Sequence, residues 1–148
     1  MPIYKGKFRP KHLKKYHGDP TQIVYRSGWE LSVMSWCDTT SDVKFWSSET
    51  IVVPYLSPLD RKIHRYFVDF TIEFKNGNKY LVEVKPYKQT KPPKKRKKTT
   101  KKYIKEVFTW GINIAKWDSA MRWAKKNDYK FEIWTEHTLK NMGIIILG

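Results

Sequence analysis

Apolar positions along the chain change their period several times, and each change predicts an element. Between Ser27 and about Cys37, Trp29, Val33, Trp36 and Cys37 fall at i, i+4, i+7 and i+8, the single stripe of a helix. Val43 and Phe45, then Ile51-Val52-Val53-Pro54-Tyr55, predict one bent strand or two short ones, followed by a turn at Ser57-Pro58-Leu59-Asp60. Alternation is cleanest over residues 64–74. Tyr66, Val68, Phe70, Ile72 and Phe74 share one face, and Arg65, Phe67, Asp69, Thr71 and Glu73 share the other. Asn76-Gly77 marks a hairpin turn. Residues 79–85 alternate again, with Tyr80, Val82 and Val84 opposite Leu81, Glu83 and Lys85, until Pro86 ends the strand. A short helix is expected at about 103–109. A clearer one runs from Ile114 to Lys126 on the stripe Ile114, Trp117, Met121 and Ala124, and Asn127-Asp128 stops it. Tyr129 to Ile133 alternates as a last strand, Thr135 is placed to cap a final helical turn, and the pattern assigns nothing to Ile144–Leu147. The order α-β-β-β-α-β predicts an α/β (α+β) fold with a mixed sheet, one domain over residues 1–148.

Composition narrows the class. With 148 residues, 40% hydrophobic and 16% aromatic, the chain has ample material for one core, which excludes global disorder. No stretch approaches the roughly 20 apolar residues of a membrane span, and Met1-Pro2-Ile3-Tyr4-Lys5 does not open a secretory signal. A soluble intracellular protein is expected. Cys37 is the lone cysteine, and His12, His17, His64 and His137 show no metal spacing, so disulfide and zinc chemistry are set aside. Trp29, Trp36, Trp117 and Trp123 are read as core.

The net charge of +16 is concentrated in two places. Residues 1–18 carry six Lys/Arg and residues 88–105 carry ten, neither stretch holding an acid, while elsewhere 14 basic residues balance 14 acidic ones. Pro92-Pro93 forbids a helix through the second run. The expectation is a neutral body with a basic N-terminal arm (1–18) and a basic flexible insertion (88–102). Clustered cations of this density gain affinity by releasing phosphate counterions. Nucleic acid is therefore the expected partner, contacted by Lys94, Lys95, Arg96, Lys97 and Lys98.

Three acids and a lysine stand out on this framework: Glu30 on the first helix, Asp69 on the middle strand, and Glu83-Val84-Lys85 on the next. Taken singly each is ordinary, and Ser27-Gly28-Trp29-Glu30 also fits a helix capping box. Together they supply oxygen ligands for a hard divalent cation and a lysine to orient or deprotonate a water, the parts of metal-assisted phosphodiester hydrolysis. A shared site needs Asp69 and Glu83 on one face. A two-residue Asn76-Gly77 loop would separate them, so the expected hairpin has an odd loop, pairing residue i with 154 − i and setting Asp69 opposite Lys85 and Thr71 opposite Glu83.

The order helix-Glu, strand-Asp, Glu-x-Lys resembles the PD-(D/E)XK nucleases of restriction-endonuclease-like fold. Tyr25-Arg26-Ser27-Gly28-Trp29-Glu30, His64-Arg65-Tyr66-Phe67-Val68-Asp69-Phe70 and Leu81-Val82-Glu83-Val84-Lys85-Pro86 resemble the TnsA-like group. Within it they look most like the head completion nucleases of large tailed phages. The resemblance covers about residues 20–136, with Val68 where the family signature has proline. It implies a deoxyribonuclease, endo- or exonucleolytic, that trims or cuts packaged DNA during head completion and head–tail joining. It further implies Mg²⁺, replaceable by Mn²⁺, with Glu30, Asp69, Glu83 and Val84 in the metal shell and Lys85 positioning the nucleophile. Arg26 and Lys116 are further candidates for DNA contact. The implied partners are DNA and phage head, portal or neck proteins, with no membrane and self-association left open. The implied location is the host cytoplasm during assembly, or the virion. A TnsA-like transposase subunit, which would carry a further C-terminal domain, and a non-catalytic DNA-binding head protein are the alternatives.

Overall fold

The computed structural model describes residues 5–146. A central four-stranded sheet is built from β3 (Val43–Ser48), β6 (Phe70–Phe74), β7 (Lys79–Val84) and β8 (Lys130–Trp134), in the spatial order β3-β6-β7-β8. The first two pairings are antiparallel and β7–β8 is parallel, so the sheet is mixed and its parallel step crosses over through a helix. β1 (Gly6–Lys7) pairs with β2 (Val24–Tyr25) as a separate ribbon, and β4 (Val52–Leu56) pairs with β5 (Ile63–Phe67) as another. Helices α1 (Gly28–Thr39), α2 (Lys101–Lys126) and α3 (Glu136–Asn141) complete a mixed α+β structure with a restriction-endonuclease-like core.

Strand parity sorts the core into two layers. Phe70, Ile72 and Val82 point to the face covered by α1, α3 and the N-terminal segment, where they meet Val33, Met34, Cys37, Trp46, Trp134 and Leu139. Leu81 points to the opposite face and packs with Trp117, Ala120 and Ala124 of α2 and with Val53, Tyr55 and Tyr66 of the β4–β5 ribbon. Glu83, two residues after Leu81, shares that second face.

Several elements differ from the sequence reading. The alternating stretch 64–74 is not one strand: Phe67 ends β5, Val68-Asp69 bends, and Phe70 begins β6. Residues 43–56 break in register with it. Glu49 N–H donates to Asp69 O at 3.1 Å and Val68 N–H to Ile51 O at 3.1 Å, so one long hairpin leaves the central sheet and becomes a separate ribbon over α2. Glu49 takes φ = 56° at this bend, a left-handed conformation that costs a non-glycine residue about 1 kcal/mol.

The two expected helices at 103–109 and 114–126 are one, α2. Thr100 caps it, its Oγ1 accepting from Tyr103 N–H at 3.1 Å. Gly111 inside it costs roughly 1 kcal/mol relative to alanine, and burial of Trp117, Ala120 and Ala124 outweighs that. The buried stripe is Asn113, Trp117, Ala120 and Ala124, whereas Ile114 and Met121 of the expected stripe are 44% and 52% exposed.

The two basic stretches behave differently. The insertion expected at 88–102 is a short 3-10 turn at Tyr87–Thr90 and an irregular exposed run that ends where α2 begins at Lys101. The expected N-terminal arm is packed from residue 5 onward, and residues 1–4 lie outside the described residues. Lys5, Lys7, Arg9 and Lys11 are exposed while Gly6, Phe8 and Pro10 between them are half-buried. The buried Asp38 carboxylate accepts from Lys11 N–H at 2.8 Å and His12 N–H at 3.0 Å, and Tyr16 is buried against Trp46. At the other end Ile144 is buried, its N–H donating to Leu139 O at 2.8 Å, and Leu147 lies outside the described residues.

Candidate active site

The hairpin β6–β7 sets the geometry. Its loop is Lys75-Asn76-Gly77, closed by Phe74 N–H to Asn78 O (2.9 Å) and Gly77 N–H to Phe74 O (3.0 Å), with Gly77 at φ = 91°. Glycine takes that φ without steric cost, and as the last loop residue it lets Phe74 and Asn78 pair directly. The loop is odd, as expected, but it starts one residue earlier. Phe70 pairs with Val82, Thr71 with Leu81, Ile72 with Tyr80 and Glu73 with Lys79. Thr71 therefore faces Leu81, not Glu83. Continued one step, the register sets Asp69 opposite Glu83 itself, in place of Lys85. The two carboxylates share the α2 face, closer together than the sequence pattern predicts.

Each is held differently. Asp69 Oδ2 accepts from Val84 N–H at 2.8 Å, which ties the bend to β7. Burial, and then the facing Glu83 carboxylate, hold the Asp69 carboxyl well above the ordinary carboxylate range, with the Val84 N–H pulling the other way. Glu83 is only 6% exposed. Its Oε2 accepts from Tyr66 O–H at 2.6 Å and from Trp117 Nε1–H at 3.3 Å. Burial and the Glu83 charge push the Tyr66 phenol far up, so it is a donor at any working pH. Among the described residues neither Asp69 nor Glu83 forms an ion pair.

Glu30 approaches from the opposite layer, because α1 packs on the other face of the sheet, yet its charge acts on Asp69. Ser27 Oγ accepts from Glu30 N–H at 3.2 Å and donates to Glu30 Oε2 at 3.3 Å, so Glu30 belongs to the helix cap. Burial raises its carboxyl and Arg26 N–H opposes that. Among the described residues no three acid, histidine or cysteine side chains converge as a ready-made metal cage. What fits a divalent cation is the donor chemistry: two facing carboxylates, one buried among neutral donors and neither ion-paired among the described residues.

The remaining candidates fall around this pair. Lys85 follows Glu83 at the strand end, its N–H donating to Trp134 O at 3.0 Å, and period two keeps its side chain on the Glu83 side. Lys116 lies on α2 with Nζ 5.5 Å from the Tyr66 ring and 5.8 Å from the Tyr55 ring, beside the tyrosine that holds Glu83. Arg26 is bidentate to Glu49, at 3.0 and 3.1 Å. Sequence reasoning does not single out Glu49, which sits at the bend with its N–H on Asp69 O and its charge felt by Glu30. No sequence signal marks it, since only the folded hairpin brings it there. Lys94, Lys95, Arg96, Lys97 and Lys98 are on the irregular run, and Arg96 reaches Glu106 at 3.4 Å.

Comparison with known proteins bears on the same residues. The TnsA-like endonuclease N-terminal domain model matches residues 40–136, which takes in Asp69, Glu83 and Lys85 and leaves Glu30 outside. The chain is also 40% identical, over 144 residues, to the protein named head completion nuclease of Enterobacteria phage T4, spanning 95% of this chain and 96% of that one.

Proposed function

Since the chain belongs to the TnsA-like endonuclease family, we propose that it is a divalent-metal-dependent deoxyribonuclease acting in phage head completion. The observation that carries the reading is the facing pair Asp69 and Glu83, on one face of adjacent strands with Lys85 two residues on. Asp69 and Glu83 would hold the cation, with Glu30 at the edge and the backbone of Val84 beside them. Bound there, Mg²⁺ or Mn²⁺ would neutralise phosphate charge and lower the pKa of a water. Lys85, on the same face, orients the attacking water. Arg26 and Lys116 border the pair and would contact the flanking phosphates, and Lys94 to Lys98 supply sequence-independent affinity for the duplex.

The place in head completion rests on the extent of likeness to the phage T4 relative, nearly end to end in both chains. Trimming or cutting packaged DNA before a tail is joined would set the protein in the host cytoplasm during assembly, against DNA and head or neck proteins. Incubation with supercoiled and linear DNA, with Mg²⁺, Mn²⁺ or chelator, tests the activity. Nicking or cutting that requires the cation is expected. Intact DNA under every cation by the folded protein would overturn the reading.

A further inference from the structure

Glu83 stands at an uncommon balance. A carboxylate at 6% exposure is costly unless its oxygens are met, and the usual solution is a lysine or arginine partner. Here the partners are neutral and come from elements outside the strand pair. Tyr66, 4% exposed, reaches in from β5 of the separate ribbon, and Trp117, 5% exposed, from α2. Both donate to the same oxygen, Oε2, at 2.6 and 3.3 Å, so the carboxylate is turned one way, with the Asp69 side chain within hydrogen-bonding reach of it. Lys116, on α2 beside Trp117, lies over the Tyr66 and Tyr55 rings and makes no ion pair with Glu83.

We propose that Tyr66 and Trp117 are positioning residues for Glu83. They fix its rotamer without cancelling its charge, which keeps the carboxylate ready for a divalent cation shared with Asp69. The inference rests on the nuclease reading of the site. Neutral donors suit this role because a lysine would compete with the metal for the same charge, whereas an O–H and an N–H orient the ligand and leave its charge in place. The bend at Val68-Asp69 gains a purpose from this. By sending β5 over α2, it brings the Tyr66 hydroxyl, two residues before the bend, back onto Glu83.

The test is Mn²⁺ binding by the purified full chain, measured calorimetrically without DNA, for wild type, Tyr66→Phe and Trp117→Phe. Both substitutions keep an aromatic ring in the core and remove the donor. Loss of such an outer partner weakens metal binding by about 10- to 100-fold. We expect roughly tenfold weaker Mn²⁺ binding for Tyr66→Phe and a smaller loss for Trp117→Phe, whose hydrogen bond is longer. Nicking should return towards the wild-type rate at saturating Mn²⁺. Wild-type Mn²⁺ affinity in both variants would overturn the proposal, and so would a lowered melting temperature with unchanged affinity, which describes packing alone. If Tyr66→Phe does not fold, Trp117→Phe decides by the same criterion. A wild-type protein that neither binds Mn²⁺ nor nicks DNA overturns the nuclease reading. A wild type that does both, beside variants of equal affinity, overturns only the positioning role.

Discussion

Four acids gather around the bend of the long hairpin, and they divide into an inner and an outer pair. Asp69 and Glu83 face each other across β6 and β7, partnered by Val84 N–H, Tyr66 O–H and Trp117 Nε1–H, all neutral. Glu30 and Glu49 sit outside them. Glu30 is tied to the α1 cap through Ser27, and Glu49 is paired with the Arg26 guanidinium. Both pairs add negative charge, and among the described residues Glu49 alone of the four is ion-paired, with Arg26. A protein holding a buried and a half-buried carboxylate face to face loses stability by it, and that loss is offset when a cation arrives. Glu49 has its compensation built in, whereas Glu30 is held by neutral donors at the helix cap and lies at the edge of the inner pair. The metal is therefore proposed on the inner pair, with Glu30 at its edge and Glu49 outside it.

The sharpest way to break this division is to remove one charge from each pair. Asp69→Asn keeps the shape and should lower cleavage by about three orders of magnitude, roughly 4 kcal/mol of transition-state stabilisation. Glu49→Gln should change it by less than about tenfold, around 1.4 kcal/mol on the same scale. Nicking rates at saturating metal make the comparison, and equal losses would merge the two pairs into one. DNA binding by Asp69→Asn without metal should be retained or tightened, because a negative charge facing the phosphate has gone. Lys85→Ala should also lose cleavage while binding Mn²⁺ as the wild type does, since the lysine is not a ligand.

Affinity should separate from both pairs. Neutralising Lys94, Lys95, Arg96, Lys97 and Lys98 should flatten the log–log salt dependence of DNA binding by roughly four units, at about 0.9 per phosphate contact. One contact is discounted because Arg96 already pairs with Glu106. An unchanged slope would move the DNA contact elsewhere, and the exposed row Lys5, Lys7, Arg9 and Lys11 is the next place to look.

Stability of the metal-free protein should distinguish the pairs more quietly. The folded Asp69 carboxyl is raised above its ordinary value of 3.8 by burial, by Glu83 and by Glu30. Between the unfolded and folded values the native state binds the extra proton, so this contribution is favourable at low pH and is lost as pH rises. Asp69→Asn removes that slope. Its melting temperature relative to wild type should climb as pH rises above about 4, and Mn²⁺ should close the gap by stabilising only the wild type. Smallest of all is the outer ion pair. Arg26 has 60% of its side chain exposed, so Arg26→Ala should cost no more than about 0.5 kcal/mol in denaturant unfolding.

Much of this is legible in the sequence, and the misses have physical reasons. The α1 stripe, the β6–β7 hairpin and the last strand follow from period and turn chemistry, which are local, whereas the odd loop follows only from requiring Asp69 and Glu83 on one face. Alternation runs unbroken through Val68-Asp69 because a bend between two sheets keeps every second residue buried: Tyr66 and Val68 against α2, then Phe70 and Ile72 against α1. Pattern alone does not see a strand change sheets. The α2 stripe differs from the expected one because small Ala120 faces the core while the larger Met121 stays exposed. Charge sets the N-terminal segment apart from the neutral body as a basic arm, and Asp38, 26 residues after His12, anchors it there. Asp69, Glu83 and Lys85 are legible as a spaced motif. Tyr66, Trp117 and Glu49 are not, since each reaches the site through long-range packing that leaves no local mark.

The measurement that bears most directly on the inner pair is calorimetric titration of the chain with Mn²⁺ in the absence of DNA, for wild type, Asp69→Asn and Glu49→Gln. Saturable binding by wild type and Glu49→Gln, weakened at least about tenfold in a folded Asp69→Asn, is the expected result. Equal Mn²⁺ affinity in all three folded proteins would contradict the assignment of the metal to Asp69 and Glu83.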